Sequence, residues 1–180
     1  VMGTAKVVGR DRVEVTAADG TKTVYTATKG IVVATGAEVI QIPGLEPDGE
    51  TVITAREAVS LQAAPKEMVL IGGGVIGLEL GMVYQKLRTK ITVVELGDSL
   101  LQGVDKDLVK VVEKHLKKGG AKLLYGAKAS KCTVKDGVAT LSVEQDGKSL
   151  ELTADKVLVA VGFRPNSKGL GLEAQGVKLD

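Results

Sequence analysis

The stretch Met68-Val-Leu-Ile-Gly-Gly-Gly-Val-Ile-Gly-Leu-Glu-Leu-Gly81 decides the fold of this chain. Its first four residues form a continuous apolar run, as expected for a buried strand of a parallel sheet. Glycines at the spacing G-x-G-x-x-G follow at once, and residues Val75 to Leu87 then have the pattern of a helix. A glycine-rich turn between a buried strand and a helix is typical of sites that bind the pyrophosphate of a dinucleotide.

Each glycine that the G-x-G-x-x-G spacing specifies has a separate expected role. Gly72 permits the tight turn, Gly74 lets the backbone approach a pyrophosphate, and Gly77 lets the helix pack closely on the strand. The first turn of the helix offers unpaired N–H donors and the positive end of the helix dipole to phosphate oxygens. The alternative is a glycine-rich turn that binds no ligand.

An acidic residue follows at the end of the next predicted strand, Ile91–Glu95. Glu95 lies eighteen residues after Gly77. A carboxylate in this position accepts hydrogen bonds from ribose hydroxyls, and its charge repels a 2′-phosphate. No lysine or arginine lies between Glu95 and Lys106. The pattern therefore favours NAD over NADP. The alternative to a ribose-binding role is that Glu95 is simply a solvated glutamate at the end of a strand.

The remaining elements extend this unit in both directions. Alternation of strands and helices predicts an α/β fold with a Rossmann-like parallel sheet, helices and a β-meander. The predicted elements are a capped helix over Thr54–Leu61, a helix over Asp105–Lys118, hairpins over residues 122–153 with turns at Asp136-Gly137 and Asp146-Gly147, and a buried strand over Val157–Gly162.

A meander followed by an apolar strand that ends in glycine occurs twice. In the first copy, strands Arg12–Thr16 and Lys22–Thr26 flank a turn at Asp19-Gly20, and Ile31–Gly36 is the predicted buried strand. The second copy lies 126 to 127 residues later, where Asp146 corresponds to Asp19 and Gly162 to Gly36. We therefore expect the chain to begin inside one nucleotide-binding domain, to contain most of a second, and to be part of a longer protein.

The amino-acid composition argues against several classes of protein. With 44% apolar and 26% charged residues, the 180-residue chain is expected to fold and not to be disordered. A net charge of +2 gives no sign of binding to nucleic acid or to a membrane. The single cysteine, Cys132, excludes a Cys-x-x-Cys pair within these residues and is interpreted as a small buried side chain. His115 is given no catalytic or metal role, and Arg164 is either a turn residue or a phosphate neighbour.

Four segments together resemble the pyridine nucleotide-disulfide oxidoreductase family, and within it the dihydrolipoamide dehydrogenase branch. They are Ile31–Val39, Val69–Gly81, Val93–Glu95 and Val157–Asn166, and the resemblance covers essentially the whole chain. It implies that residues 1–40 are the last part of an FAD-binding domain and residues 41–162 an NAD-binding domain. Residues 163–180 would be a return segment toward the FAD-binding domain.

The resemblance also implies roles for individual residues. Glu95 would bind the adenosine ribose, the backbone of Ala129 would lie beside the adenine, and Gly162 would flank the nicotinamide. Glu79 would sit where nicotinamide meets flavin. Phe163 departs from the arginine that is common at its position, and Ala129 from the usual valine. The implied contacts to NAD along the glycine-rich turn are Gly72, Gly73, Gly74, Val75, Ile76, Gly77, Leu78 and Glu79, and those to FAD are Ala5, Thr35, Gly36 and Ala37.

The resemblance implies an FAD-dependent oxidoreductase that converts dihydrolipoamide and NAD⁺ to lipoamide and NADH. Its partners would be the lipoyl domain of a 2-oxo acid dehydrogenase complex and a second copy of itself, in the bacterial cytoplasm or the mitochondrial matrix. These residues hold no catalytic group, so we expect them alone to be inactive toward lipoamide. Alternatives are an NADH oxidase, a coenzyme A-disulfide reductase or another disulfide reductase, or a free NAD-binding module without catalysis.

Overall fold

The computed structural model describes residues 1–179, which form two compact units. The terminal unit consists of residues 1–38 together with the segment that begins at Arg164, and the central unit is Val39–Phe163. The predicted division into an FAD-binding domain, an NAD-binding domain and a return segment stays a prediction. Residue 180, the end of the predicted return segment, lies outside the described residues.

The described residues contain three α-helices, thirteen strands and one short 3₁₀ helix, Glu173–Gln175. The helices are α1 (Ala55–Ala58), α2 (Val75–Lys86) and α3 (Lys106–Lys118). The strands are β1 (Thr4–Gly9), β2 (Arg12–Thr16), β3 (Lys22–Thr26), β4 (Ala37–Val39), β5 (Val52–Ile53), β6 (Glu67–Ile71), β7 (Lys90–Val94), β8 (Lys122–Leu124), β9 (Ala127–Lys135), β10 (Val138–Gln145), β11 (Lys148–Ala154), β12 (Lys156–Val159) and β13 (Phe163–Pro165).

A five-stranded parallel sheet forms the middle layer of the central unit. Its strand order is β5-β12-β6-β7-β8, and in its centre Leu70 is paired with Leu158 on one side and Val93 on the other. Successive residues of β6 contribute to different cores. Leu70 packs with α2 and α3, whereas Val69 packs with the meander β9-β10-β11. Burial of both faces explains why the strands are continuous apolar runs, and the predicted α/β fold class is confirmed.

The meander forms the third layer and is antiparallel throughout. Leu141 in its middle strand pairs with Cys132 of β9 and with Leu152 of β11. Two-residue turns join the strands, at Asp136-Gly137 with φ of +52° and +76°, and at Asp146-Gly147 with φ of +51° and +71°. Positive φ at both central residues is the geometry that matches the twist of a hairpin, so the predicted turns are confirmed.

Helix caps set the beginnings of α1 and α3. Thr54 and Glu57 form the predicted capping box, in which the Thr54 N–H donates to the Glu57 carboxylate at 2.9 Å. Hydrogen bonds from the Thr54 side chain and backbone lower the pKa of Glu57. The helix nevertheless ends at Ala58, three residues before the predicted end at Leu61. Asp105 caps α3 by accepting a hydrogen bond from the Asp107 N–H at 2.9 Å.

Two strand predictions need correction. Ile31–Gly36 is not a strand, and the Val32 side chain is 90% exposed. An apolar run becomes a buried strand only when neighbouring strands complete its backbone hydrogen bonds. No strand among residues 1–179 pairs with the segment Ile31–Gly36. The last parallel strand, β12, ends at Val159, before the predicted end at Gly162. Gly162 has φ of +114°, which is incompatible with a continued strand.

Gly81 determines how closely α2 packs on the sheet. A Cβ atom at this position would lie 2.5 Å from Cδ1 of Leu70, which is fully buried and has no room to move. We expect Gly81→Val to lower the free energy of unfolding by about 1–3 kcal/mol, measured by urea denaturation, because the core becomes overpacked. The control is Val83→Ala, at a half-exposed position of the same helix. It is expected to change the free energy of unfolding by less than about 0.5 kcal/mol. Equal stability of the Gly81 variant and the control would contradict this packing account.

Candidate functional site

A cleft of about 820 Å³ lies at the carboxyl edge of the parallel sheet, within the central unit. Ile71, Val94 and Val159, the last residues of three neighbouring strands, form its floor. Ligands of open parallel α/β sheets bind at this edge, because the loops that follow the strands diverge there. The rest of the lining consists of Val39, Ile40, Ile42, Ala55, Gly72, Gly73, Gly74, Val75, Ile76, Glu95, Leu96, Gly97, Leu101, Gln102, Val104, Ala127, Lys128, Ala129, Ala160, Val161, Gly162 and Phe163.

Two glycines of the motif after β6, Gly72 in the turn and Gly77 in α2, are required by packing. Gly72 has φ of +101°, and a Cβ there would lie 2.5 Å from the carbonyl oxygen of Ala160. A Cβ on Gly77 would lie 2.9 Å from the carbonyl oxygen of Gly72 and 3.1 Å from Cβ of Ala160. Any side chain at either position would push the turn and α2 away from β12. Packing within the protein is thus sufficient to explain why both positions are glycine.

Gly74 is different, because the fold does not require it. It is exposed, its φ of −79° suits any residue, and an added Cβ would meet no atom within 4 Å. Gly74 lines the cleft, so a side chain there would occupy space that is open to a ligand. Glycine at position 74 is therefore explained by the space that it leaves in the cleft, which would let a ligand approach the backbone closely.

The N-terminus of α2 opens into the cleft without a cap. Gly74 is the N-cap and has no side chain to accept a hydrogen bond, and no acidic residue lies in the first turn. The N–H groups of Val75, Ile76 and Gly77 precede the first helical hydrogen bond, which runs from Leu78 N–H to Gly74 O at 3.1 Å. Val75 and Ile76 also line the cleft. The arrangement offers free donors and a positive dipole end, which is the environment that phosphate groups prefer.

Glu95 lies beside this turn, at the end of β7. Its carboxylate accepts a hydrogen bond from the Gly73 N–H at 2.6 Å and another from the Gly97 N–H at 2.6 Å. The backbone around it is held by the next segment, since Glu95 N–H donates to Leu124 O and Ala127 N–H donates to Glu95 O, both at 2.9 Å. The predicted acidic residue is therefore at the cleft, next to the glycine-rich turn.

Two further predicted residues, Ala129 and Gly162, also line the cleft. Ala129 lies on β9, and Gly162 follows β12, where its carbonyl oxygen accepts a hydrogen bond from the Ile40 N–H at 3.0 Å. A Cβ on Gly162 would only touch Ile40 Cδ1 at 3.5 Å, so the positive φ alone accounts for glycine here. The structure brings both residues to the same cleft as the glycine-rich turn.

Leu78 and Glu79 lie elsewhere. The Leu78 side chain is 1% exposed and packs in the core, and its N–H is already bonded within α2, so it has no group free for a ligand. Its contact with the cofactor stays a prediction. Glu79 is exposed and lines a separate hollow of about 580 Å³ that also contains Lys86 and His115. The role of Glu79 therefore stays a prediction.

The sequence interpretation missed the loop after Glu95. Leu101 and Gln102 line the cleft, although neither belongs to a motif. Leu101 has φ of +50°, an unusual value for leucine, and its N–H donates to Gly73 O at 2.9 Å. The only signal in the sequence was the apolar pair Leu100-Leu101 inside a polar loop, which indicates that this loop is anchored.

The residues predicted to contact FAD lie in the terminal unit. Ala5 is on β1, paired with Val15. The turn around Thr35 and Gly36 is braced by Asn166, whose N–H donates to Gly36 O at 3.0 Å and whose carbonyl accepts from the Thr35 hydroxyl at 2.7 Å. Ala37, the last of the four, begins β4 and is exposed. Their contact with FAD stays a prediction.

Arg164 and Cys132, two side chains outside the cleft, were also interpreted from the sequence. Arg164 forms an exposed ion pair with Glu38. Cys132 is half-buried, and burial, with a smaller effect of the Asp48 charge, raises the pKa of its thiol, which disfavours the reactive thiolate. Residues 1–179 contain no group of three His, Cys, Asp or Glu side chains suited to a metal ion, and none of their helices is long and apolar enough to cross a membrane.

Known proteins with similar sequences include two dihydrolipoyl dehydrogenases. The family model described as pyridine nucleotide-disulphide oxidoreductase matches residues 1–180. The mitochondrial dihydrolipoyl dehydrogenase of Dictyostelium discoideum is 43% identical over 183 residues, covering 99% of this chain and 37% of that protein. Dihydrolipoyl dehydrogenase 3 of Pseudomonas putida is 41% identical over 182 residues, covering 100% of this chain and 39% of that protein. The chain thus spans less than two fifths of the length of these relatives.

A solved structure shares the fold over the whole chain. LpdA from Mycobacterium tuberculosis superimposes with a TM-score of 0.84 at 31% sequence identity, covering 100% of this chain and 40% of that one. The fold described above is therefore that of a known oxidoreductase family.

The open position of Gly74 leads to a test. Gly74→Val should weaken binding of NADH, the dinucleotide that the sequence favours, by about tenfold or more, because the new side chain keeps the phosphates from the free N–H groups. The dissociation constant is measured by fluorescence titration and the fold by urea denaturation. Gly30→Val is the matched control, since a Cβ at Gly30 also meets no atom within 4 Å and its φ is not in the left-handed region. If the Gly74 variant is folded and binds NADH as tightly as the native chain, the phosphates do not lie beside Gly74.

Proposed function

Because the chain belongs to the pyridine nucleotide-disulphide oxidoreductase family, we propose that its central unit binds NAD in the cleft at the end of the parallel sheet. The observation that carries the proposal is the uncapped N-terminus of α2 beside Gly74, which leaves free N–H donors and open space at one point of the cleft. A dinucleotide has the pyrophosphate that such a group of donors binds.

The residues of the cleft have separate roles in this proposal. The N–H groups of Val75 to Gly77 bind the pyrophosphate, and Gly74 allows it to come close. Glu95 accepts hydrogen bonds from the adenosine ribose, since a carboxylate has about four acceptor positions, and the N–H groups of Gly73 and Gly97 with the side-chain amide of Gln102 at 3.5 Å occupy only part of them. Ala129 lies beside the adenine, and Gly162 beside the nicotinamide. Apolar side chains of the lining exclude water from the rings.

Charge favours NAD over NADP. A 2′-phosphate would lie near the carboxylate of Glu95, and the loop from Leu96 to Asp105 has no basic residue to neutralise it. Lys128 is the one basic residue of the lining, and it lies on β9 outside that loop. The repulsion by Glu95 is thus the main determinant of the choice of nucleotide.

For the whole protein we propose the activity of a dihydrolipoyl dehydrogenase that contains FAD. The support is the identity of 41–43% to proteins with that name. In this reaction a dithiol is oxidised to a disulfide, and its electrons reach NAD⁺ as a hydride by way of the flavin, which is the chemistry that FAD supplies when it is bound. The terminal unit would contact FAD through Ala5, Thr35, Gly36 and Ala37.

The contribution of these residues to that activity is binding and orientation. Their single cysteine, Cys132, cannot form a redox pair by itself. The proposed partners of the whole protein are a lipoyl domain and a second copy, and the proposed location is the bacterial cytoplasm or the mitochondrial matrix, in line with the bacterial and mitochondrial relatives.

The choice of nucleotide tests the proposal. The 180-residue chain should bind NADH more tightly than NADPH, and Glu95→Arg should reduce the preference by about tenfold or more, since a cation replaces the anion beside the 2′ position. Both dissociation constants are measured by fluorescence titration. Asp98→Arg makes the same change of charge in the same loop outside the lining of the cleft, so it should leave the preference nearly unchanged. An equal effect of the two variants would mean that Glu95 does not contact the ribose.

A further inference from the structure

We propose that Glu95 is a positioning residue, which holds the glycine-rich turn and the loop Leu96–Gly103 together before any nucleotide binds. The inference rests on the proposed function, because the arrangement that it holds is the one that would receive NAD. It adds to the ribose contact a second role for the same carboxylate, directed at the protein backbone.

The two oxygens of the Glu95 carboxylate are divided between two segments. Oε2 accepts the Gly73 N–H at 2.6 Å, so it fixes the peptide in the middle of the glycine-rich turn. Oε1 accepts the Gly97 N–H at 2.6 Å, so it fixes the start of the following loop. Charge-assisted hydrogen bonds of this kind are shorter and stronger than neutral ones. One carboxylate therefore connects the turn to the loop.

Gly73 is also held through its carbonyl group. Its carbonyl oxygen accepts the Leu101 N–H at 2.9 Å. Leu100 is fully buried directly against the turn, since a Cβ on Gly73 would lie 2.5 Å from Leu100 Cδ2 and 3.0 Å from Glu95 Oε2. The loop and the turn are thus joined through both backbone groups of Gly73.

Glutamine cannot replace glutamate in this arrangement. Its side chain has one carbonyl oxygen, which can accept from either Gly73 or Gly97. Its NH₂ group would face the other backbone N–H, so two donors would oppose each other. Glu95→Gln, which keeps the shape of the side chain, should therefore release one of the two segments. A residue that only accepted hydrogen bonds from ribose hydroxyls would show no such effect on the free protein.

The first measurement needs no ligand. Amide hydrogen exchange of the 180-residue chain, followed by NMR, should show slow exchange at Gly73 and Gly97, and Glu95→Gln should accelerate at least one of them by about tenfold or more. Asp98→Asn, which removes a nearby charge in the same loop but has no hydrogen bond to either amide, should leave both rates unchanged. Equal rates at both amides in the native chain and in Glu95→Gln would overturn the inference.

The second measurement separates positioning from ribose recognition. Affinities are determined for NADH and for an NADH analogue whose adenosine ribose lacks both hydroxyls. If Glu95 positions the turn, Glu95→Gln should still weaken binding of the analogue by about tenfold, although no ribose hydroxyl is left to contact. If the loss disappears with the analogue and the variant behaves like Asp98→Asn, Glu95 acts on the ribose alone and the inference is wrong.

The two measurements also distinguish this inference from the proposed function. Failure of the native chain to bind NADH would refute NAD binding, while the exchange rates at Gly73 and Gly97 would still decide whether Glu95 holds the turn. If the native chain binds NADH but Glu95→Gln leaves the exchange rates at Gly73 and Gly97 unchanged, the proposed function stands and the positioning role is refuted.

Discussion

The close approach of the turn after β6 to the carbonyl oxygen of Ala160 is the constraint on which the rest of the cleft depends. Only glycine at position 72 allows it, because any Cβ would lie 2.5 Å from that oxygen. The approach sets the point at which α2 begins, and Gly77 and Gly81 then keep the helix close to β12 and β6. Val75 and Ile76, whose N–H groups precede the first helical hydrogen bond, line the cleft as a consequence. Packing and ligand binding are therefore two results of one arrangement of small residues.

The sequence was most informative where a local rule and the fold agree. The glycine spacing after an apolar run predicted the strand, turn and helix, and Asp136-Gly137 predicted a hairpin, because the required backbone angles are available to few residues. Glu95 was found for a similar reason, since its place at the end of a strand determines which edge of the sheet it reaches. In each case the evidence lies within a few residues of the feature.

Predictions failed where neighbours distant in the sequence decide the outcome. The apolar run Ile31–Gly36 is typical of a buried strand, yet no strand among the described residues pairs with it. Leu78 belongs to the motif by its position, while the helical periodicity directs its side chain into the core, and its contact with the cofactor stays a prediction. The loop with Leu101 and Gln102 carried only the weak signal of the apolar pair Leu100-Leu101, because its place at the cleft depends on hydrogen bonds to Gly73 and Glu95 that no local pattern encodes.

Amide chemical shifts would show whether a dinucleotide binds at the N-terminus of α2. A titration of the ¹⁵N-labelled chain with NADH, followed by NMR, should shift the amide resonances of Val75, Ile76 and Gly77 together, with one dissociation constant. Amides of the turn Asp136-Gly137, at the end of β9 away from the cleft-lining residues Ala127 and Ala129, should not move. Saturable binding that shifts other residues and leaves these three amides unchanged, or no binding at all, would contradict the account.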